Sequence, residues 1–238
     1  MAPIPPHEEP AAGIGSDAAP DGPIASHAGA MISALFLLIF AIAVIVPWTV
    51  ADSARQNTYA EANALVEASW LAGGLPAADA AATRAALRGY AQFVATDEWR
   101  TLRRGELDPR GWRRLDEMRA AVTRLEPREP AQQQARDDVA SQLQTVYEAR
   151  RQRAVDAAAT LPQGMLVLTV LAALLVAIFP TMSGVKPRGW IWVPYALMVT
   201  VVGLGVYLVF AINHTFSGPL GVDPTAFTSA LTELGRIP

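Results

Sequence analysis

Residues 31–50 read MISALFLLIFAIAVIVPWTV and contain no charged side chain. Two later stretches, residues 161–184 and 189–212, are equally free of Asp, Glu, Lys and Arg. A helix rises about 1.5 Å per residue, so roughly 20 apolar residues cross the hydrocarbon core of a bilayer, which is about 30 Å thick. The three stretches therefore predict an integral membrane protein with three transmembrane helices and the lipid bilayer as its first partner.

The charged residues are concentrated between the first and second stretches. Residues 51–160 carry 16 of the 19 basic and 16 of the 22 acidic side chains. This region has helical periodicity and no strand-like alternation, which predicts an all-α protein with a helical soluble domain inserted between the first two transmembrane helices. Because its charge is balanced, the region offers no basic face, and we expect no nucleic-acid partner.

Composition also sets the boundaries along the chain. The first 27 residues are rich in Pro, Ala and Gly, which predicts a disordered tail. They contain no Lys or Arg, so the first apolar stretch lacks the basic n-region of a signal peptide and is interpreted as a retained span. The other predicted segments are transmembrane helix 1 at 28–50, the helical domain at 51–160, transmembrane helix 2 at 161–180, transmembrane helix 3 at 189–212 and a C-terminal segment at 213–238.

Four helices are predicted between the tail and the second span. The first continues the first span as one helix of about 40 residues, from Met31 to the break at 73–76. Asp108 before Pro109 is typical of a helix start, with a carboxylate cap and proline at the first helical position. The remaining three helices are predicted over residues 77–104, over residues 109–125, and from the break at 126–130 to about residue 159.

The basic residues near the span ends predict the orientation and location. Five flank the helical domain or lie on its side of the membrane, namely Arg55, Arg150, Arg151, Arg153 and Arg236. Two, Lys186 and Arg188, lie on the opposite side, so the helical domain is predicted to be cytoplasmic. Trp48 is placed as an interfacial anchor. One Lys against 18 Arg is typical of a high-GC bacterial genome, which places the chain in a bacterial inner membrane as a multi-pass protein.

The residue types that perform chemistry are sparse. The chain has no cysteine, and its three histidines lack metal-ligand spacing. No nucleophile motif or phosphate-binding glycine loop is present, so we expect neither enzymatic activity nor a metal or cofactor. The spans also lack the ionisable groups that proton-coupled pumps and voltage sensors need. The charges at 98–117 are interpreted as a solvated surface, with attraction of anions or anionic lipids as the alternative.

Passive permeation through an apolar constriction remains compatible with such spans. Phe36 and Phe40 lie four residues apart, with Ile39 and Ala43 adjoining, so one helix face could line a pore. Lipid contact or helix packing is the alternative interpretation of the same face. Three spans cannot enclose a wide pore, so permeation requires a homo-oligomer. Gly203-x-Gly205 in the third span is interpreted as a close-packing position.

Three local patterns resemble the bacterial bestrophin-like domain family over about residues 50–238. They are Glu61-Ala62-Asn63-Ala64-Leu65 before a Gly-Leu-Pro turn, Leu87-Arg88-Gly89-Tyr90-Ala91 before Glu98-Trp99, and Phe216-Ser217-Gly218 after the last span. The family-motif positions carried over are Glu61, Asn63, Arg88, Tyr90, Glu98, Trp99, Phe216, Ser217, Gly218, Pro224 and Phe227.

The resemblance implies membrane helices that flank a helical, cytoplasmic domain. By analogy to bestrophins it also implies a pentameric anion channel, with the helix before the soluble domain lining the pore. Phe36 and Phe40 would fall on that helix. The chain departs from the family pattern in two ways, because a Pro-rich tail replaces a further span, and Asn213 and Thr215 replace an acidic residue and a proline.

Two functions remain open at this point. The first is a bestrophin-like membrane protein acting as an oligomeric anion channel with an apolar constriction. The alternative is a non-conducting membrane scaffold or sensor whose helical domain binds a partner protein.

Overall fold

A computed structural model describes residues 22–183, 189–218 and 221–238, and within these ranges the chain is helical with no strand. Short turns connect most of the helices. These helices are α1 Gly22–Leu71, α2 Ala77–Phe93, α3 Trp99–Leu102, α4 Pro109–Thr123, α5 Pro130–Ala158, α6 Gln163–Met182, α7 Trp192–Ala211 and α8 Thr225–Leu234. The all-α prediction is confirmed for the described residues.

The first helix is longer than the sequence predicts. α1 has 50 residues and begins at Gly22, so residues 22–27 are helical and the prediction of a disordered tail is wrong for them. Pro23 lies in the first turn, where its missing N–H costs no hydrogen bond. The rest of the predicted tail lies outside the described residues. As predicted, α1 continues without a break from the apolar stretch into the charged region.

Within the described residues, three helices are long and apolar enough to cross a membrane, namely α1, α6 and α7. Most of their side chains are exposed in the single chain, as expected of surfaces that face lipid. α6 runs two residues past its predicted end, with Pro180 in its last turns. The loop with Lys186 and Arg188, whose charges enter the predicted orientation, lies outside the described residues.

The main hydrophobic core lies beyond the spans and joins the second half of α1 to α2, α4, α5 and α8. Fully buried side chains from each helix meet there, among them Leu65, Leu87, Leu115, Val139 and Phe227. α2 and α5 each present an apolar stripe to this core. We call this part of the molecule the helical core.

The predicted second helix is interrupted. α2 ends at Phe93, a π-helical turn follows at Val94–Glu98, and α3 follows directly. A π turn inserts one extra residue, which shifts the helix face. Val94, Glu98 and Trp99 are all buried as a result. Gly105 then ends the segment with a φ of 84°, a conformation that favours glycine.

The starts of α4 and α5 agree with the predicted breaks. The Asp108 carboxylate accepts a hydrogen bond of 2.8 Å from the Arg110 N–H, which caps α4.

After α7, Gly218 (φ 85°) turns the chain back, and α8 packs on α1 and α2. The C-terminal segment is therefore part of the helical core.

Candidate functional site

A network of five polar side chains is fully enclosed in the helical core. It consists of Glu61 on α1, Tyr90 on α2, Glu98 on the π turn, and Arg150 and Arg153 on α5. All five are at most 1% exposed. The two carboxylates balance the two guanidinium groups, which is the condition for burying ionised side chains at acceptable cost. We call these five residues the charge network.

The hydrogen bonds of the charge network join all five side chains. Arg150 binds Glu98 through both terminal nitrogens, with Nη1 to Oε2 at 2.8 Å and Nη2 to Oε1 at 2.5 Å. Arg153 Nη2 lies 3.2 Å from both Glu61 Oε1 and Glu98 Oε2. The Tyr90 hydroxyl donates to Glu61 Oε1 at 2.6 Å and accepts from Arg150 Nη1 at 3.0 Å. The network therefore ties α1, α2 and α5 to one another.

The start of α4 completes the environment of Arg150. Its Nη2 donates to the Asp108 carbonyl at 3.1 Å, and the Asp108 N–H donates to Glu98 Oε1 at 3.1 Å. A Cβ atom built on Gly111 would lie 2.1 Å from Arg150 Nη2, far inside van der Waals contact. Glycine at this position is what leaves room for the guanidinium against α4.

Aromatic rings pack around the two guanidinium groups. The Arg150 guanidinium carbon lies 4.8 Å from the centroid of Trp112, and that of Arg153 lies 5.2 Å from the centroid of Phe227. Both distances allow cation–π attraction. Trp99 makes edge contacts with Phe216 at 5.7 Å and Phe227 at 6.3 Å. The rings exclude water and strengthen the electrostatic interactions inside.

Burial is the largest influence on the pKa of two members of the charge network, Glu61 and Tyr90. Loss of solvation raises the pKa of Glu61, although Arg153 and Tyr90 oppose this. Burial, together with the Glu61 charge, raises the pKa of Tyr90 well above its usual value. Glu61 Oε2 and three arginine nitrogens, Arg150 Nε, Arg153 Nε and Arg153 Nη1, find no hydrogen-bond partner among the described residues. Removal of any one of the four charged members would leave a buried charge uncompensated.

Comparison of the sequence with protein-family models identifies the family of this chain. The model of the Bestrophin-like domain family matches residues 22–227, which is most of the chain. The chain belongs to the Bestrophin-like family. The match includes α1 and so begins well before residue 50, where the resemblance in the local motifs starts. Searches of curated proteins and of solved structures return no match.

Six of the family-motif positions of this bestrophin-like chain meet at the charge network or its aromatic surround. They are Glu61, Tyr90, Glu98, Trp99, Phe216 and Phe227. The others lie elsewhere. Arg88 donates to the Leu234 carbonyl at the end of α8, Asn63 is exposed, Pro224 precedes α8, and Ser217 and Gly218 form the turn after α7.

Two interpretations from the sequence are wrong at this site. Arg150 and Arg153 are not among the charges that flank the membrane, because both are 0% exposed inside the helical core. Glu98 does not belong to a solvated surface and is also fully buried. The missed signal is the spacing on α5, where positions 139, 143, 146, 150 and 153 form one stripe. Arginines that continue an apolar stripe need acidic partners in the core.

The predicted pore-lining face is covered within one chain of this bestrophin-like protein. Phe36, Ile39 and Ala43 are buried, and the rings of Phe36 and Phe40 stack at 5.8 Å. A Cβ atom on Gly205 of α7 would lie 2.9 Å from the Phe40 ring, so the two helices are in close contact there. Helix packing, the alternative interpretation, describes this face in the single chain. Its pore-lining role remains a prediction about an assembly.

The two replaced positions of the family pattern, Asn213 and Thr215, both lie at the junction of the spans with the helical core. Asn213 Oδ1 accepts a hydrogen bond of 2.8 Å from the Leu161 N–H, which joins the end of α7 to the segment before α6. Thr215 is buried, and its carbonyl accepts from the Val222 N–H at 2.9 Å. Asn213 thus supplies the acceptor that an acidic side chain would offer.

Proposed function

We propose that the protein is a homo-oligomeric, anion-conducting pore in which α1 of each copy lies next to the pore axis. The Bestrophin-like family includes anion channels, and six of the family-motif positions of this chain meet in one connected site. In this proposal the helical core is a soluble, cytoplasmic domain, and no chemical reaction is assigned to it.

The observation that carries the proposal is the continuity of α1. One helix runs from the first apolar span to Glu61, and Glu61 is held by Tyr90 and Arg153 inside the helical core. Packing between copies of the helical core would thereby set the position of each first span. A rigid connection of this kind is what a symmetric pore requires of its lining helix.

The uncovered face of α1 is the better candidate for the constriction. Leu38, Ile42 and Ile45 lie at i, i+4 and i+7, and Leu38 and Ile45 are 59% and 57% exposed. No described part of the chain covers them. The Phe36 and Phe40 face could reach an axis only if α6 and α7 moved away from α1. An apolar ring of Leu38 and Ile45 would gate by wetting and dewetting.

Halide flux from liposomes with the purified full chain tests the proposal. Ile45→Ser should raise chloride flux, because a hydroxyl favours water in the constriction. Leu204→Ser is the matched control, since Leu204 is similarly exposed on α7 and should leave flux unchanged. Phe40→Ala should lower thermal stability without raising flux if its ring serves packing.

Four results would count against the proposal. An absence of halide flux from liposomes that contain correctly assembled protein would show that the protein does not conduct. Equal effects of Ile45→Ser and Leu204→Ser on chloride flux would show that the uncovered face of α1 does not form the constriction. A larger flux in Phe40→Ala would assign the constriction to the covered face with Phe36 and Phe40. A stoichiometric complex with another protein, without a homo-oligomer, would instead support the scaffold or sensor function.

A further inference from the structure

A cavity of about 170 Å³ lies where the apolar part of α1 ends and the chain leaves α7. Trp48, Asp52 and Arg55 line it from α1, and Ile212 and His214 line it from the segment after α7. The volume is several times the roughly 30 Å³ that one water molecule occupies in the liquid. We call this cavity the headgroup groove.

The headgroup groove contains hydrogen-bond donors that the protein leaves free. The Arg55 guanidinium forms no hydrogen bond or ion pair with any described residue, and the same holds for the indole of Trp48 and the ring of His214. Asp223 lies in a neighbouring cavity that also includes Arg55, and it accepts a hydrogen bond of 3.0 Å from the Thr225 N–H. That bond, and to a smaller extent the Arg55 charge, lowers the pKa of Asp223, but Arg55 forms no direct hydrogen bond or ion pair with it. The free donors therefore remain available to a ligand.

The depth of the groove indicates which ligand reaches it. Trp48 and Ile212 are close to the polar ends of their apolar stretches, so the groove lies at the level of the lipid headgroups. The phosphodiester is the anionic group at that level. Arginine, with its fork of N–H donors, is the side chain best matched to phosphate oxygens.

The carboxylate of Asp52 narrows the choice of headgroup. Its Oδ2 accepts from Gln56 Nε2 at 2.8 Å, and no described residue donates to its Oδ1. A headgroup with phosphate and a free ammonium would satisfy both Arg55 and Asp52, whereas a purely anionic headgroup would place extra negative charge near the carboxylate.

We propose that the headgroup groove binds a phosphoethanolamine lipid headgroup. Arg55, assisted by His214 and the Trp48 indole, binds the phosphate, and Asp52 binds the ammonium. The bound lipid would fill the gap between α1 and the end of α7. This inference is independent of conduction, because it concerns a site within one chain.

Native mass spectrometry of the full chain tests the inference, with equal amounts of phosphatidylethanolamine, phosphatidylglycerol and phosphatidylcholine in the detergent micelles. The wild type should retain phosphatidylethanolamine preferentially. Arg55→Gln should weaken this retention about tenfold, the expected effect of losing one charged hydrogen-bond donor. Asp52→Asn should reduce the preference over phosphatidylglycerol. Arg124→Gln, a substitution at an exposed residue remote from the groove in sequence, is the control and should change nothing.

The contrary results are equally specific. Equal retention of all three lipids, or unchanged retention in Arg55→Gln, would identify the lipid as non-specific and overturn the inference. Displacement of the lipid by inorganic phosphate alone would show a site for soluble phosphate instead. If Arg55→Gln lowers helicity by circular dichroism, His214→Gln replaces it, with the same expected direction and the same contrary result.

Discussion

Substitution of Gly111 by alanine should break the charge network without removing any charge. The new methyl group would lie 2.1 Å from Arg150 Nη2 and 2.5 Å from its guanidinium carbon. Arg150 cannot move aside freely, because hydrogen bonds to Glu98, Tyr90 and the Asp108 carbonyl hold it in place. The clash must displace the guanidinium or the start of α4.

The expected free-energy changes predict that Gly111→Ala destabilises the protein. Overpacking of a core costs about 1–3 kcal/mol, and breaking a buried ion pair costs about 3–5 kcal/mol. Glycine to alanine in a helix gains up to about 1 kcal/mol in backbone terms. We therefore expect Gly111→Ala to lower the free energy of unfolding by about 2–4 kcal/mol, or Tm by about 5–15 °C for a chain of this size.

Gly89→Ala provides the matched control. Gly89 lies within α2, and a Cβ atom added there would have nothing within 4 Å, so alanine should stabilise the protein by up to about 1 kcal/mol. Thermal unfolding in detergent, followed by circular dichroism, measures both variants. In an Arg150→Ala background, Gly111→Ala should no longer destabilise. If the Tm of Gly111→Ala is unchanged or raised as in Gly89→Ala, the geometry described for Arg150 is wrong.

Three further predictions test the charge network and the contact between α1 and α7. Tyr90→Phe should lower the free energy of unfolding by about 1–3 kcal/mol, because the buried Glu61 carboxylate loses its hydroxyl donor; an unchanged Tm would contradict this. Burial raises the pKa of Glu61 above its ordinary 4.5, so its contribution to stability is present below pH 4.5 and is lost as the pH rises through the raised pKa. Glu61→Gln should therefore flatten the dependence of Tm on pH over that range. Identical profiles of Tm against pH for the wild type and Glu61→Gln would refute the assignment. Gly205→Ala should lower Tm by clashing with the Phe40 ring, whereas Gly203→Ala, with open space at its Cβ, should not, and equal effects would show that α1 and α7 do not pack as described.

The sequence predicts the architecture of this protein well because its signals are local. The length of an uncharged stretch, the Asp108-Pro109 start and the glycine breaks each act over a few residues, and the helices follow them. The π turn at Val94–Glu98 is different, since nothing in the local pattern distinguishes it from a continuous helix. It exists because Glu98 and Trp99 both have partners in the core.

The candidate site illustrates the limit of local reasoning. The motif residues Glu61, Tyr90 and Glu98 stand in separate sequence patterns, and their partners Arg150 and Arg153 resemble membrane-flanking charges when only the sequence is considered. Charge counting treats every arginine near a span as solvated. Only the three-dimensional packing of α5 on α1 shows that these two arginines neutralise carboxylates up to 92 residues away.

The charge network also explains why the helical core and the first span act as one unit. Glu61 is part of the same helix as the span, and the two arginines that hold Glu61 and Glu98 lie on α5, which packs along α1. A movement of α1 relative to α5 would expose or separate buried charges, which is strongly unfavourable. The first span is thereby fixed to the helical core of its own chain.

The mass of the intact particle in a mild detergent, measured by native mass spectrometry on the full chain, shows whether α1 can line a pore between copies. We expect a single homo-oligomer with enough copies to surround a pore. A stable monomer, or a complex with a different protein in place of further copies, would contradict it.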